Sequence, residues 1–228
     1  QLIFITFLSL SLSLRLNSPI HFLIVPLQDK SCILAIMMQI FRQYRQKLSW
    51  KRLARSTKKM ERERGFHNLR SARKVGVVFD ARHQESYMVA KGLINELNQA
   101  GKQASGIGAV NSAESLRYFP AHKHIVFFPL TGANLLYWPV NNAHVREFLK
   151  EPYDLLIDLS YEPLLQLRYI TAHTKALTRV GMAPTGSPFF DIALAPRKTY
   201  KQEDVPDILA DIKHYLDILR VSDSKFAS

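Results

Sequence analysis

The sequence predicts a single α/β domain of Rossmann-like, three-layer type, its mainly parallel sheet preceded by a basic helical arm. Three observations predict it. From Lys74 onward, short apolar runs rich in β-branched residues alternate with stretches of helical period. The runs are apolar throughout, as in strands covered on both faces. The positive charge is also confined: Arg42–Lys74 holds 13 Lys and Arg against Glu61 and Glu63, whereas residues 75–228 hold 16 of each sign. Nearly all of the net charge of +12 therefore belongs to the arm, and the domain is balanced.

KVGVVFDA (Lys74–Ala81) is the first strand and ends in Asp80. A helix follows over Glu85–Ala100, with Met88, Val89, Leu93, Ile94 and Leu97 on one face and Gly101 as its stop. A weaker strand over 103–110 and a helical turn near Ser112–Tyr118 precede a third strand, HIVFFPL (His124–Leu130). Thr131–Trp138 is irregular; Phe127, Phe128, Leu135, Leu136, Tyr137 and Trp138 read as core rather than as a cofactor box. A helix at Asn142–Lys150 leads into YDLLIDLS (Tyr153–Ser160), the central strand. Pro163 sits near the start of a helix reaching about Leu177. TRVGMAP (Thr178–Pro184) and FFDIALAP (Phe189–Pro196) are two further strands. The Pro184–Pro188 link is too short for a helical crossover, which leaves an antiparallel last strand open. Val205–Leu219 is the final helix, with Asp204 as N-cap, Pro206 in its first turn and Leu209, Ile212, Leu216 and Leu219 as its stripe.

The chain opens on an uncharged run, Gln1–Leu14, shorter than the roughly 20 residues a transmembrane helix needs. Its first positive charge, Arg15, follows the run, where a signal peptide has one before it. The first methionines are Met37 and Met38. Residues 1–36 read as an upstream read-through with synthesis starting at Met37 or Met38; a truncated signal or anchor segment is the rival reading. Residues 37–72 are then the arm and 73–228 the domain. The one cysteine, Cys32, excludes an intrachain disulfide and a cysteine-only metal site, and fits a cytoplasmic location.

In the arm, Ile40, Phe41, Tyr44 and Leu48 recur at helical spacing, extended loosely by Leu53 and Met60. Arg42, Arg45, Lys47, Lys51, Arg52, Arg55, Lys58 and Lys59 fill the remaining positions. Such a helix suits an anionic membrane surface, where each basic residue contributes about 1 kcal/mol. The same charges can meet a partner protein or nucleic-acid phosphates. Alternatively the stripe packs on its own domain.

In an open parallel sheet, ligands collect beyond the carboxyl ends of the strands. That rule selects Asp80, Arg82 and His83 after the first strand, and Thr131 and Gly132 after the third. It also selects Asp158, Ser160, Tyr161 and Glu162 after the fourth, and Gly181 after the fifth. Asp80, Asp158 and Ser160 are the candidates for catalysis, because two carboxylates facing one crevice can do acid–base work; the others are candidate ligand contacts. The plainer alternative is that each aspartate accepts backbone N–H bonds from the turn after it. His122 and His124 form an HxH pair that would point both rings one way on a strand, but zinc needs a third ligand, and no metal is expected. Gly106-Ile-Gly108 is a fragment of GxGxxG that follows the second strand instead of the first. No GxxxxGK[ST], GxSxG or HExxH motif occurs, so nothing specifies a cofactor.

NLRSARKVGVVFDA, YDLLIDLS and ITAHTKALTRVG together resemble a small uncharacterised family from Bacteroidota, a domain of unknown function. The resemblance covers most of 37–228 and implies no activity. YDLLIDLS…LRYITAHTKALTRVG is also distantly similar to heptosyltransferase-like glycosyltransferases, through Asp158-Leu159 at one strand end and Arg179-Val180-Gly181 in the next. Those enzymes bind a nucleotide sugar with a second Rossmann-like half, and residues 73–228 suffice for a single half. The likeness thus implies an acceptor-side domain rather than a free-standing transferase. The leading reading is a non-catalytic or weakly catalytic binding module, tethered by its arm to the inner membrane or to a partner. The competitors are an enzyme acting on a sugar-like or phosphorylated substrate and a nucleic-acid-associated protein.

Overall fold

The computed structural model describes residues 30–120, 122–196 and 200–219, so most of the leader read from the sequence lies outside the described residues. The chain divides into 1–40 and 41–228. In the first unit Leu34, Met37, Met38 and Ile40 are exposed. The whole sheet belongs to the second unit.

Six strands form that sheet: β1 (Lys74–Asp80), β2 (Gln103–Val110), β3 (Ile125–Pro129), β4 (Leu155–Asp158), β5 (Thr178–Met182) and β6 (Ile192–Leu194). Five α-helices accompany them: α1 (Lys30–Lys59), α2 (Gln84–Gln99), α3 (Ala143–Lys150), α4 (Leu165–His173) and α5 (Val205–Ile218). The strand order is β3-β2-β1-β4-β5-β6, and every pairing is parallel. This is the Rossmann-like order, in which the direction of winding reverses between β1 and β4.

The period-two alternation of the strands divides the core into two layers. Val75, Val77 and Phe79 of β1, with Leu155 and Ile157 of β4, pack with Leu93, Ile94 and Leu97 of α2 and Ile208, Ile212 and Leu216 of α5. On the other face Val78, Ile107 and Leu156 pack with Val145 and Phe148 of α3, Leu167 and Ile170 of α4, and Leu53 of α1. Local signals end the helices where the sequence predicts. Gly101, at φ 78°, lets Lys102 N–H turn back to Leu97 O at 3.0 Å, and the Asn142 side chain caps α3 by accepting from Val145 N at 3.1 Å.

Four expectations need correction. The last strand is parallel: Val180 pairs with Ile192 and Met182 with Leu194. No helix is needed for the return, because residues 183–191 in extended form span up to about 30 Å and β5 is only about 17 Å long. Gly106 and Gly108 lie within β2 and do not follow it. A Cβ there would stand 2.5 Å from Ile94 Cδ1 and 2.7 Å from Phe79 Cε2, respectively, so these glycines admit side chains of the core, not a phosphate. The His122–His124 pair precedes β3 instead of lying on it; the rings are 6.2 Å apart, and among the described residues no group of three potential ligands could hold a metal.

The arm is the fourth correction. Its helix ends at Lys59, and of the predicted stripe only the later part, Leu48 and Leu53, turns toward the domain. Phe41 and Tyr44 are exposed, whereas Ser49, Leu53 and Thr57, one turn apart, are buried. Full burial of Leu53 contributes about 1.5–3 kcal/mol to holding α1 on the domain. Ser49 and Thr57 fit there because their hydroxyls donate to Arg45 O at 2.9 Å and Leu53 O at 2.7 Å, four residues back on the helix. Arg45, expected to meet lipid or nucleic acid, is held by its own domain: its guanidinium donates to Leu135 O at 3.1 and 2.9 Å and lies over the Tyr137 ring at 4.7 Å. Tyr137 is at φ 59°, a conformation a bulky residue adopts only under constraint; the Asn134 side chain fixes it by accepting from Leu136 N and Trp138 N.

Candidate functional site

The reversal of winding places the β1–α2 and β4–α4 loops side by side at the carboxyl edge of the sheet. Val78 pairs with Asp158, so Asp80 stands two residues further along the same face. The two strand ends are adjacent, but Asp158 is wholly buried and each aspartate has its own arginine. Asp80 is 1% exposed and holds Arg82 through both oxygens, at 2.9 and 3.1 Å from Nε and 2.6 Å from Nη2; its Oδ1 also accepts from Arg82 N–H at 3.0 Å. Arg82 Nη2 reaches across the reversal to Glu162 at 3.2 Å. The bond to Asp80 raises the Arg82 pKa above its already high ordinary value. Arg82 is therefore a permanent cation that clamps the β1 loop to the β4 loop.

Asp158 is wholly buried. Its Oδ1 accepts from Ser160 N–H at 2.9 Å; its Oδ2 accepts from Arg168 Nη1 at 2.5 Å and from Thr171 Oγ1 at 2.9 Å. Arg168 Nη2 continues to Met182 O at 2.9 Å, and the guanidinium lies 4.6 Å from the centre of the Phe190 ring. A carboxylate enclosed and bonded in this way is poorly placed to take a metal or a substrate proton. Ser160 is 1% exposed, and its Oγ has no hydrogen-bond partner among the described residues.

The remaining predicted residues divide in two. His83 lies against Tyr161, ring centres 5.7 Å apart, at the same mouth as Glu162. Burial raises the Tyr161 pKa, and the negative charges of Glu162 and Asp80 add to the rise. Thr131 and Gly132 do not join them: they are exposed beyond β3, two strands away from β1. Gly181 is set by packing, since a Cβ would meet Phe190 Cε1 at 2.5 Å and Asp158 Cβ at 3.1 Å. A cleft of about 740 Å³ opens beyond β4–β6, its walls formed by Trp50, Tyr161, Glu162, Met182, Phe189 and Tyr200.

A family model matches residues 45–219. The chain belongs to DUF6913, a family of unknown function. No curated protein and no solved structure matches the chain. The matched part of this DUF6913 chain takes in the later part of α1 and the whole sheet.

Sequence reasoning did not select two buried arginines of this DUF6913 domain as site residues: Arg168, and Arg179, which entered only through the resemblance. Each sits in an otherwise apolar stretch, LQLRYITA and TRVGM, and is buried to 4% and 2% exposure. A lone arginine on an apolar face was the available signal, because such a residue requires a buried acceptor.

Proposed function

We propose that this DUF6913 protein is a Rossmann-like binding module held at an anionic membrane surface by the outward face of α1. One observation carries the reading. Between residues 41 and 59 there is no acidic residue, and Arg42, Lys47, Lys51, Arg52, Arg55, Lys58 and Lys59 are all exposed, without an ion pair to any described residue. Phe41 and Tyr44, exposed at 61% and 65%, accompany them. The opposite face is fastened to the domain through Leu53, so the charged face is presented rigidly. Cations flanked by aromatic rings suit the headgroup region, where the rings enter the interface and the charges meet anionic lipid. Among the described residues no helix is long and apolar enough to cross a membrane. The aromatic cleft beyond β4–β6 then receives a small ligand near that surface. Its Trp50 wall comes from α1 itself, so the tether and the cleft share an element.

Flotation tests the tether. At low salt the full chain should float with phosphatidylglycerol vesicles and stay behind with phosphatidylcholine. Changing Lys51, Arg55 and Lys58 together to Glu should weaken binding by at least about a hundredfold, from about 1 kcal/mol per lost charge. Undiminished flotation of the triple variant, or RNA binding that outcompetes the vesicles, would overturn the reading.

A further inference from the structure

The amino edge of the sheet carries a second centre, unrelated to the crevice at β1 and β4. The chain that leaves α1 runs past the start of β5, where Gly65 N–H donates to Leu177 O at 3.3 Å, and it brings Arg62 and Arg64 beside Arg179. Asp191, at the start of β6, is the one acid lining the cavity formed here. Its Oδ1 takes Arg62 Nη2 at 2.5 Å and has Arg64 Nε at 4.0 Å; its Oδ2 accepts from Arg179 N–H at 2.8 Å. Three arginines thus line a cavity of about 440 Å³ in which Asp191 is the one acid among the described residues, leaving two surplus positive charges.

Backbone carbonyls meet part of the surplus: Arg62 Nη1 donates to Ala176 O at 2.5 Å and Leu177 O at 2.8 Å, but no second carboxylate lines the cavity among the described residues. Arg179 is 2% exposed; its Nη2 donates to Thr174 O at 2.6 Å, and its Nε has no acceptor. A buried cation with an unmet donor is costly unless an anion completes it. Burial, followed by the repulsion of Arg62 and against the attraction of Asp191, pushes the Arg179 pKa down to about 10. Arg64 is 74% exposed at the rim, with its planar fork available to an incoming oxyanion.

We infer that the cavity lined by Arg62, Arg64 and Arg179 is a binding site for a phosphate-class anion. The cavity has room for a phosphate and the group it is esterified to, and Gly65, Thr178 and Ser187 complete its walls. Tetrahedral oxyanions match a fork of parallel N–H donors, and phosphate brings enough negative charge to balance two cations. The source is either a free phosphate ester or a lipid headgroup presented beside the end of α1. The site stands on its own residues and does not depend on α1 meeting a membrane.

The test is calorimetry of the full chain with inorganic phosphate at constant ionic strength, together with flotation on phosphatidylcholine vesicles carrying phosphatidic acid. Saturable phosphate binding, weakened about tenfold in Arg64→Gln and in Arg179→Lys but not in Arg146→Gln, supports a free ester. Arg146 lies on α3 outside the cavity. Flotation that depends on phosphatidic acid and falls in Arg64→Gln, without binding of free phosphate, supports the headgroup. Binding of neither probe, or binding that ignores both substitutions, overturns the site. Loss of flotation on phosphatidylglycerol with phosphate binding intact would sink the membrane tether and leave this site standing.

Discussion

Arg168 with Asp158 at one edge of the sheet, and Arg62, Arg64 and Arg179 with Asp191 at the other, use the same chemistry to opposite ends. At the carboxyl edge the charges cancel, and every oxygen of Asp158 has a donor. At the amino edge one carboxylate serves three arginines, and a guanidinium N–H stays unmet. The balanced centre joins β4, α4 and β5, and its aspartate is wholly buried. Both combine an aspartate at a strand end with a buried arginine, so residue type alone does not distinguish scaffold from site; local charge balance does.

The comparison can be broken by mutation. The largest effect belongs to Arg168→Ala, which strands a fully buried Asp158 carboxylate; urea unfolding should show a loss of about 3–5 kcal/mol. Arg64→Gln, at the exposed rim of the other centre, should stay within about 0.5 kcal/mol of the wild type. Equal losses would mean that the two centres are both structural. Gly181→Ala comes next: its new methyl presses on Phe190, the ring on which the Arg168 guanidinium rests, and overpacking of this kind costs about 1–3 kcal/mol.

The smallest expected effect concerns pH. Burial, and to a lesser degree the Arg179 charge, lower the pKa of His173 below its ordinary 6.5, while its Nδ1 contact with Tyr169 O opposes them. The unfolded chain then takes up a proton near pH 6.5 that the folded chain refuses, so stability is lost as pH falls below 6.5. His173→Gln should flatten that acid-side slope in chemical denaturation between neutral and mildly acid pH. Phosphate at the Arg179 cavity should reduce the slope in the wild type by cancelling the repulsion. An unchanged slope in the variant would show that other groups set it.

The layers of this fold were readable because strand and helix periods are local. VGVVFD and YDLLID are apolar runs bounded by turn residues, and both became central strands. The last strand was harder. Its direction depends on how a loop without a helix crosses a sheet edge, and no residue in 183–191 encodes that. The arm misled for a similar reason. Phe41 and Tyr44 have the hydrophobicity of a buried stripe, but the domain meets the helix on the face of Leu53, where two hydroxyl residues satisfy themselves on the helix backbone. Asp80, Arg82, Asp158 and Glu162 obey the strand-end rule, and the structure joins Asp80, Arg82 and Glu162 while burying Asp158 against Arg168. Thr131 and Gly132 met the same rule but follow an edge strand, which strand order alone could reveal. The arginine partners were illegible because Arg168 lies 10 residues from Asp158 and Arg62 lies 129 from Asp191.

Membrane attachment requires α1 to have two faces, one fastened to the sheet and one presented to lipid. An environment-sensitive fluorophore placed by Tyr44→Cys, in a Cys32→Ser background, reads the outward face directly. The same label at Lys91→Cys on α2, across the sheet, is its control. On phosphatidylglycerol vesicles the label at position 44 should shift to the blue and brighten, while the label at 91 stays as it is in buffer. A label at 44 that remains in water, or one at 91 that responds equally, would contradict a tether through α1.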